Sequence, residues 1–333
     1  MTSNALVAVT GAEGFIGSHL TEALVAAGYR VRAMAQYNSF SSYGWLETLS
    51  PDTLDQVEIV LGDVRDVGSV HQLAEGAEAV YHLAALIAIP YSYQAPHSYV
   101  DTNVTGTLNV LEAVRKLGIP RLVHTSTSET YGTAQTVPIT EDHPINTQSP
   151  YAASKAGGDR LADSYHASFG TPVVTLRPFN TFGPRQSMRA VIPTVIGQVA
   201  AGERVITLGD LRPTRDFLYV KDTARAFLTV GTAPADAVVG RTFNAGTGSE
   251  ISVGELTRLI GKLMAADLDV RQDEERIRPA GSEVMRLVAD ATRLRDATGW
   301  QPEHDLEQGL VHTIEFFRNP ANLARYKTGI YNI

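Results

Sequence analysis

Tyr151 and Lys155 stand four residues apart in Tyr151-Ala-Ala-Ser-Lys155. On a helix, positions i and i+4 share a face, so the lysine ammonium sits one turn from the phenol. A cation there lowers the phenol pKa and turns it into a proton acceptor. Such a pair also arises by chance on solvated helix faces, so its meaning depends on its surroundings. Upstream runs Thr125-Ser126-Thr127-Ser128-Glu129-Thr130-Tyr131-Gly132, directly after an apolar stretch that reads as a strand. Parallel sheets place their sites at strand ends. The run is therefore a second source of reactive groups, and its plainer reading is a polar turn that closes the strand.

A third element explains what those groups would work with. Thr10-Gly11-Ala12-Glu13-Gly14-Phe15-Ile16-Gly17 follows an apolar run and opens a helical one. Gly11 permits a tight turn, Gly14 lets backbone approach a pyrophosphate, and Gly17 lets the helix pack on the strand. The helix N-terminus then offers free N–H groups to phosphates. With a nicotinamide dinucleotide bound here, its cationic ring would further favour the Tyr151 phenolate. That phenolate would take a hydroxyl proton while hydride leaves the same carbon.

The elements that must hold these residues alternate. Strand candidates are Ala5–Thr10, Arg30–Ala35, Val57–Leu61, Ala79–Leu83, Arg121–Thr125 and Val173–Arg177. Helical stretches fall at Phe15–Ala27, Val67–Ala74, Val100–Leu117 and Tyr151–Phe169, with Gly28, Gly118 and Gly170 as stops. This order predicts an α/β fold, a doubly wound parallel Rossmann sheet with right-handed crossovers. After Arg177, prolines 178, 184, 193 and 213 shorten the elements. The expected division is a dinucleotide-binding domain over residues 1–177, with later segments returning to it, and a smaller α/β lobe over 178–333 that binds substrate.

Composition narrows the function classes. A hydrophobic fraction of 44% fits a globular chain. The absence of cysteine removes disulfides, thiolate nucleophiles and cysteine-held metals, and no metal is expected. A formal net charge of −8 argues against nucleic acid as a partner. Neither a signal peptide nor a membrane-spanning run is read, which makes a cytoplasmic location the expectation.

These motifs together resemble the extended short-chain dehydrogenase/reductase family, whose glycine motif has the same G-x-x-G-x-x-G spacing. The resemblance spans about residues 5–310 and points to the nucleotide-sugar 4,6-dehydratases. Thr127-Ser128-Glu129 is similar to the Thr-Ser-Glu of GDP-mannose 4,6-dehydratases, where many relatives carry Thr-Asp-Glu. Tyr37-Asn-Ser-Phe40, the segment His82 to Tyr93, the Thr-Ser-Thr-Ser-Glu run and Arg185-Gln-Ser187 most resemble the UDP-N-acetylglucosamine 4,6-dehydratases of legionaminic-acid biosynthesis.

The resemblance implies roles. Thr127 would bond the sugar 4-hydroxyl and share its proton with Tyr151. Glu129 would take the C5 proton and, because Ser128 replaces the usual acid, return it to the departing 6-hydroxyl. Lys155 would support Tyr151. Gly11, Gly14, Phe15, Ile16, Gly17, Asp63, Val64, Leu83, Ala84, Ala85, Thr125, Tyr151 and Lys155 would contact the cofactor. Ile87, Pro90, Asn180, Arg185, Val191, Arg215 and Arg278 would contact a UDP-linked sugar, arginine forks pairing with the diphosphate. An apolar Leu86–Tyr93 segment suits an acetamido group.

The family's acidic residue at the end of the second strand is missing, since Ala35 and Gln36 stand there. NAD is the expected cofactor, with NADP not excluded. Homodimerisation through Val100–Leu117 and Tyr151–Phe169 is also implied. A UDP-sugar 4-epimerase, which needs no Glu129, and a UDP-glucuronate decarboxylase remain alternatives. A non-catalytic dinucleotide sensor is a further one, although such proteins tend to lose the tyrosine or the lysine.

Overall fold

The structure is a computed structural model that describes residues 4–328 and 330. Seven strands form one wholly parallel sheet: β1 (Leu6–Thr10), β2 (Arg30–Gln36), β3 (Val57–Gly62), β4 (Ala79–His82), β5 (Leu122–Thr125), β6 (Val173–Pro178) and β7 (Thr242–Ala245). Their order is β7-β6-β5-β4-β1-β2-β3, so the sequence direction reverses between β1 and β4. A doubly wound sheet opens its ligand crevice at that switch, beyond the carboxyl ends of the strands.

The principal helices are α1 (Phe15–Ala26), α2 (Val67–Ala74), α3 (Gly106–Leu117), α4 (Pro150–Phe169), α5 (Val191–Ala200), α6 (Val220–Thr232), α7 (Val253–Leu263) and α8 (Leu306–Arg318). Strand residues alternate between two cores. Val7 and Val9 pack with Leu20 and Leu24 of α1 and with Phe227 and Val230 of α6. Ala8, on the opposite face, joins Val70 and Leu73 of α2 and Val110, Leu111 and Val114 of α3. Burial on both faces explains why these strands read as apolar runs without polar alternation. The glycine stops fall as expected: Gly118 and Gly170 end α3 and α4 in left-handed conformation, with φ of 65° and 66°.

Two details differ from the sequence expectation. β4 ends at His82, so Leu83 begins the loop. The stretch from Val100 is not one α-helix: Val100–Thr105 is a π-helical turn that precedes α3. That turn aims Asn103 at the loop after β4, where its Oδ1 accepts from Leu86 N and its Nδ2 donates to Leu86 O, both at 2.9 Å. β7 and α6, which lie after Arg177, complete the sheet and its covering layer, in keeping with the expectation that later segments return to it. β7 is only four residues long, too short to carry a period.

The second lobe has its own core of Ile192, Val195, Ile196, Leu256, Ile260, Leu310, Ile314 and Phe317, drawn from α5, α7 and α8. No helix among the described residues is long and apolar enough to cross a membrane.

Candidate active site

A cleft of about 1320 Å³ opens between the carboxyl ends of the sheet and the second lobe. Every cofactor, catalytic and substrate residue named above lines it, from Gly11 to Arg278. At its floor the chain turns from β1 into α1. Gly11 has φ of +66°, and a Cβ there would meet Ala84 N at 2.8 Å. A Cβ on Gly17 would lie 2.0 Å from Gly11 O. The glycines thus let β1, the loop after β4 and the first turn of α1 close on one another. Gly14 caps α1 without a side-chain bond, which leaves the first amides of the helix directed at the cleft. Thr125 Oγ1 on the cleft wall is buried without a hydrogen-bond partner. An open helix terminus and, elsewhere on the same cleft wall, an orphaned hydroxyl fit a dinucleotide pyrophosphate and nicotinamide.

Ser149 and Pro150 start α4, and the Ser149 hydroxyl accepts from Ala152 N at 3.1 Å. That cap puts Tyr151 in the first turn, facing the cleft, and Lys155 one turn behind it. The Tyr151 ring packs against Ile89 and Tyr99. Burial raises its phenol pKa above the usual range, and a hydrogen bond from the Thr127 side chain works the other way. The isolated protein therefore holds Tyr151 as neutral phenol, and a cationic ligand beside it is needed to make it a base. Burial lowers the Lys155 ammonium to about 8, against the pull of the Asp159 carboxylate.

The pH dependence follows from that value. kcat/KM reports free-enzyme ionisations and is expected to fall along an alkaline limb near pH 8 as Lys155 loses its proton. A pH–rate series checks this. A profile flat to about pH 9.5 would mean that Lys155 stays at its ordinary value.

Behind Lys155 lies a buried polar network that sequence reasoning missed. Asp159, one turn further along α4, accepts from His124 Nε2 at 3.0 Å, Ser126 Oγ at 2.6 Å and Arg177 Nη2 at 2.9 Å. Burial alone would push the Asp159 carboxyl up, but His124 and Arg177 hold it far below the usual range. Arg177 also donates to the Tyr131 hydroxyl, which donates to Asn244 of β7. Asp159 compensates Arg177 and also acts on the Lys155 ammonium. The i+4 spacing from Lys155 to Asp159 was a readable signal, because both fall on the Tyr151 face of the helix.

At the other end of the cleft, Arg215 is buried and donates to Glu283 Oε1 at 3.2 Å, and Arg278 lies 3.5 Å from the same oxygen. Two guanidinium groups converging on a single carboxylate leave donors for an anion. Arg185 also reaches the cleft, but its guanidinium is held by Glu22, at 2.8 and 3.0 Å. Its first contact is therefore with α1 and not with an open anion site. Asn180 Oδ1 and Gln186 Oε1 are buried in the cleft wall without partners. Between these ends the loop after β4 presents Leu86, Ile87, Ile89 and Pro90. Tyr93 ties this loop to the second lobe through a 2.5 Å bond to Ser282 Oγ.

Comparison with known proteins places the arrangement. The sequence family described as GDP-mannose 4,6 dehydratase matches residues 8–313. A UDP-glucose 4-epimerase of Mycolicibacterium smegmatis is 37% identical, covering 93% of this chain and 98% of that one. A dTDP-glucose 4,6-dehydratase from Streptomyces venezuelae, solved with NAD bound, superposes with a TM-score of 0.87 at 30% identity, covering 97% of this chain and 99% of that one. A UDP-N-acetylglucosamine 4-epimerase from Methanobrevibacter ruminantium, in complex with UDP-N-acetylmuramic acid, gives a TM-score of 0.84 at 31% identity, covering 95% and 99%. Dehydratases and epimerases both carry this fold.

Proposed function

Since the chain belongs to the GDP-mannose 4,6-dehydratase family of nucleotide-sugar dehydratases and epimerases, we propose that it is an NAD-dependent 4,6-dehydratase acting on a UDP-hexose, UDP-N-acetylglucosamine first among them. The observation that carries this reading is Glu129. It lines the cleft two residues beyond Thr127, and its charge acts on both Tyr151 and Arg215. A 4-epimerase has no step for a carboxylate in that place. The apolar Leu86–Pro90 wall suits an acetamido methyl better than the carboxylate of UDP-glucuronate.

In this reading Gly11, Gly14 and Gly17 would hold NAD, which when bound would supply the hydride acceptor for C4 of the sugar and the hydride donor for C6. Tyr151 removes the C4 hydroxyl proton, and Thr127, bonded to Tyr151 and to Glu129 N, relays it. The resulting C4 carbonyl acidifies the C5 proton. Glu129 takes that proton and delivers it to the leaving C6 hydroxyl, so water departs and a C5–C6 double bond forms. C5 takes up a proton from solvent as C6 is reduced, Tyr151 gives up the 4-hydroxyl proton to solvent, and the product is a 4-keto-6-deoxy sugar. Arg215 and Arg278 hold the diphosphate. Gly11, Gly14 and Gly17 close around the dinucleotide.

Two measurements test it. Mass spectrometry of the product formed from UDP-N-acetylglucosamine without added reductant is expected to show loss of one water. Unchanged mass with inverted C4 would make the protein an epimerase. Glu129→Gln is expected to keep C4 oxidation, seen as reduced-nicotinamide absorbance, and to lower elimination by about 10²–10⁴-fold. Normal turnover of that variant would sink the role of Glu129. The same reading places the enzyme in the cytoplasm as a homodimer, paired through α3 and α4.

A further inference from the structure

The sheet lacks the carboxylate that dinucleotide folds place at the end of β2 to bind the adenosine ribose. Gln36 occupies that position. A carboxylate nevertheless stands there, supplied from the glycine loop. Glu13 lies between Gly11 and Gly14, and its Oε1 accepts the backbone N–H of Gln36 at 3.1 Å. Its own carbonyl accepts from Trp45 N at 2.9 Å, so the loop, the end of β2 and the turn at Gly44–Thr48 clasp one another. The second oxygen, Oε2, is buried with no hydrogen-bond partner, on the wall of the cleft that Gly14, Gln36 and Asp63 also line. A buried carboxylate oxygen without a donor is costly, and burial raises the Glu13 pKa accordingly.

We infer that Glu13 Oε2 accepts the 2′-hydroxyl of the adenosine ribose, in place of the missing acid on β2, and thereby selects NAD over NADP. The hydroxyl would supply the donor that Oε2 lacks. A 2′-phosphate would instead bring a second anion against a desolvated carboxylate. Arg325, the guanidinium over the Trp45 ring beside this loop, is engaged with that ring and lies 3.9 Å from Glu47. This inference rests on the dinucleotide site and is independent of whether the sugar is dehydrated or epimerised.

The test is dinucleotide binding by calorimetry, with the full chain freed of bound nucleotide. Wild type is expected to bind NAD+ about 100-fold more tightly than NADP+. It is also expected to bind NAD+ about 10-fold more tightly than 2′-deoxy-NAD+, a comparison that needs no variant. Glu13→Gln keeps the Oε1 acceptor for Gln36 N and removes the charge. It is expected to weaken NAD+ about 10-fold, to bring NADP+ within a few-fold of NAD+, and to leave the ligand-free melting temperature unchanged. Gln36→Asp in that background is expected to restore the preference for NAD+. Equal binding of NAD+ and 2′-deoxy-NAD+ by wild type would overturn the inference, as would unaltered discrimination in Glu13→Gln. Failure of wild type to bind either dinucleotide would remove the site itself. Product analysis of the sugar, which tests the dehydratase reading, is unaffected by the comparisons of NAD+ with 2′-deoxy-NAD+ and NADP+.

Discussion

Tyr151→Phe is expected to lower turnover by about 10²–10⁴-fold while leaving the folded protein almost as stable as wild type. The two effects separate because the ring and the hydroxyl do different work. The ring packs on Ile89 and Tyr99, with the Tyr99 ring edge-on at 6.3 Å, and phenylalanine keeps those contacts. The hydroxyl bonds Thr127, whose Oγ1 also accepts from Glu129 N at 3.3 Å, so its loss strands no partner. The stability cost is therefore about 1 kcal/mol, or about 2 °C in melting temperature for a chain of this size. Chemistry has no such reserve. In the proposed mechanism the phenol is the base for the C4 hydroxyl proton, so without it oxidation should fail before elimination begins. Single-turnover measurement of reduced nicotinamide would show it. A variant that formed reduced nicotinamide at more than about a third of the wild-type rate would move the base to another residue.

The parts of this site that were legible in the sequence are the local ones. Gly11, Gly14 and Gly17 are constrained by one turn, and Tyr151 and Lys155 by one helical step, so their spacing carries their geometry. The alternation of strands and helices was legible for the same reason, since each unit is defined within about a dozen residues. What escaped is held by contacts between distant segments. Arg177 reaches Asp159 from the neighbouring strand, and the Tyr131 hydroxyl meets Asn244 across 113 positions. β7 has no period to reveal it and exists because β6 offers a free edge. The π-helical turn at Val100–Thr105 trades a regular helix for the two bonds from Asn103 to Leu86. The absence of an acid after β2 was visible, but its replacement by Glu13 depends on how the glycine loop folds over that strand. Arg185 lines the cleft as the resemblance implies, and the fold adds a pairing with Glu22 that its motif did not show.

Asp159→Asn is expected to act on both stability and catalysis, and the two can be told apart. The carboxylate and Arg177 are each almost fully buried, at 2% and 3% exposure. Removing one partner of such a pair leaves an uncompensated charge in the interior and costs about 3–5 kcal/mol, measurable by denaturant unfolding. Replacing both, Asp159→Leu with Arg177→Met, removes the stranded charge and should recover most of that loss. Catalysis should not recover with it. Lys155 is raised toward its ordinary value by Asp159 and not by Arg177. Without that carboxylate its ammonium titrates below about 8 in the single and the double variant alike. The alkaline limb of kcat/KM should then move to lower pH in both, with activity at pH 7 reduced although the double variant is stably folded. If the double variant regained both stability and the wild-type limb, Asp159 would be a structural partner of Arg177 alone, and the charge of Lys155 would have to be set by the ligands in the cleft.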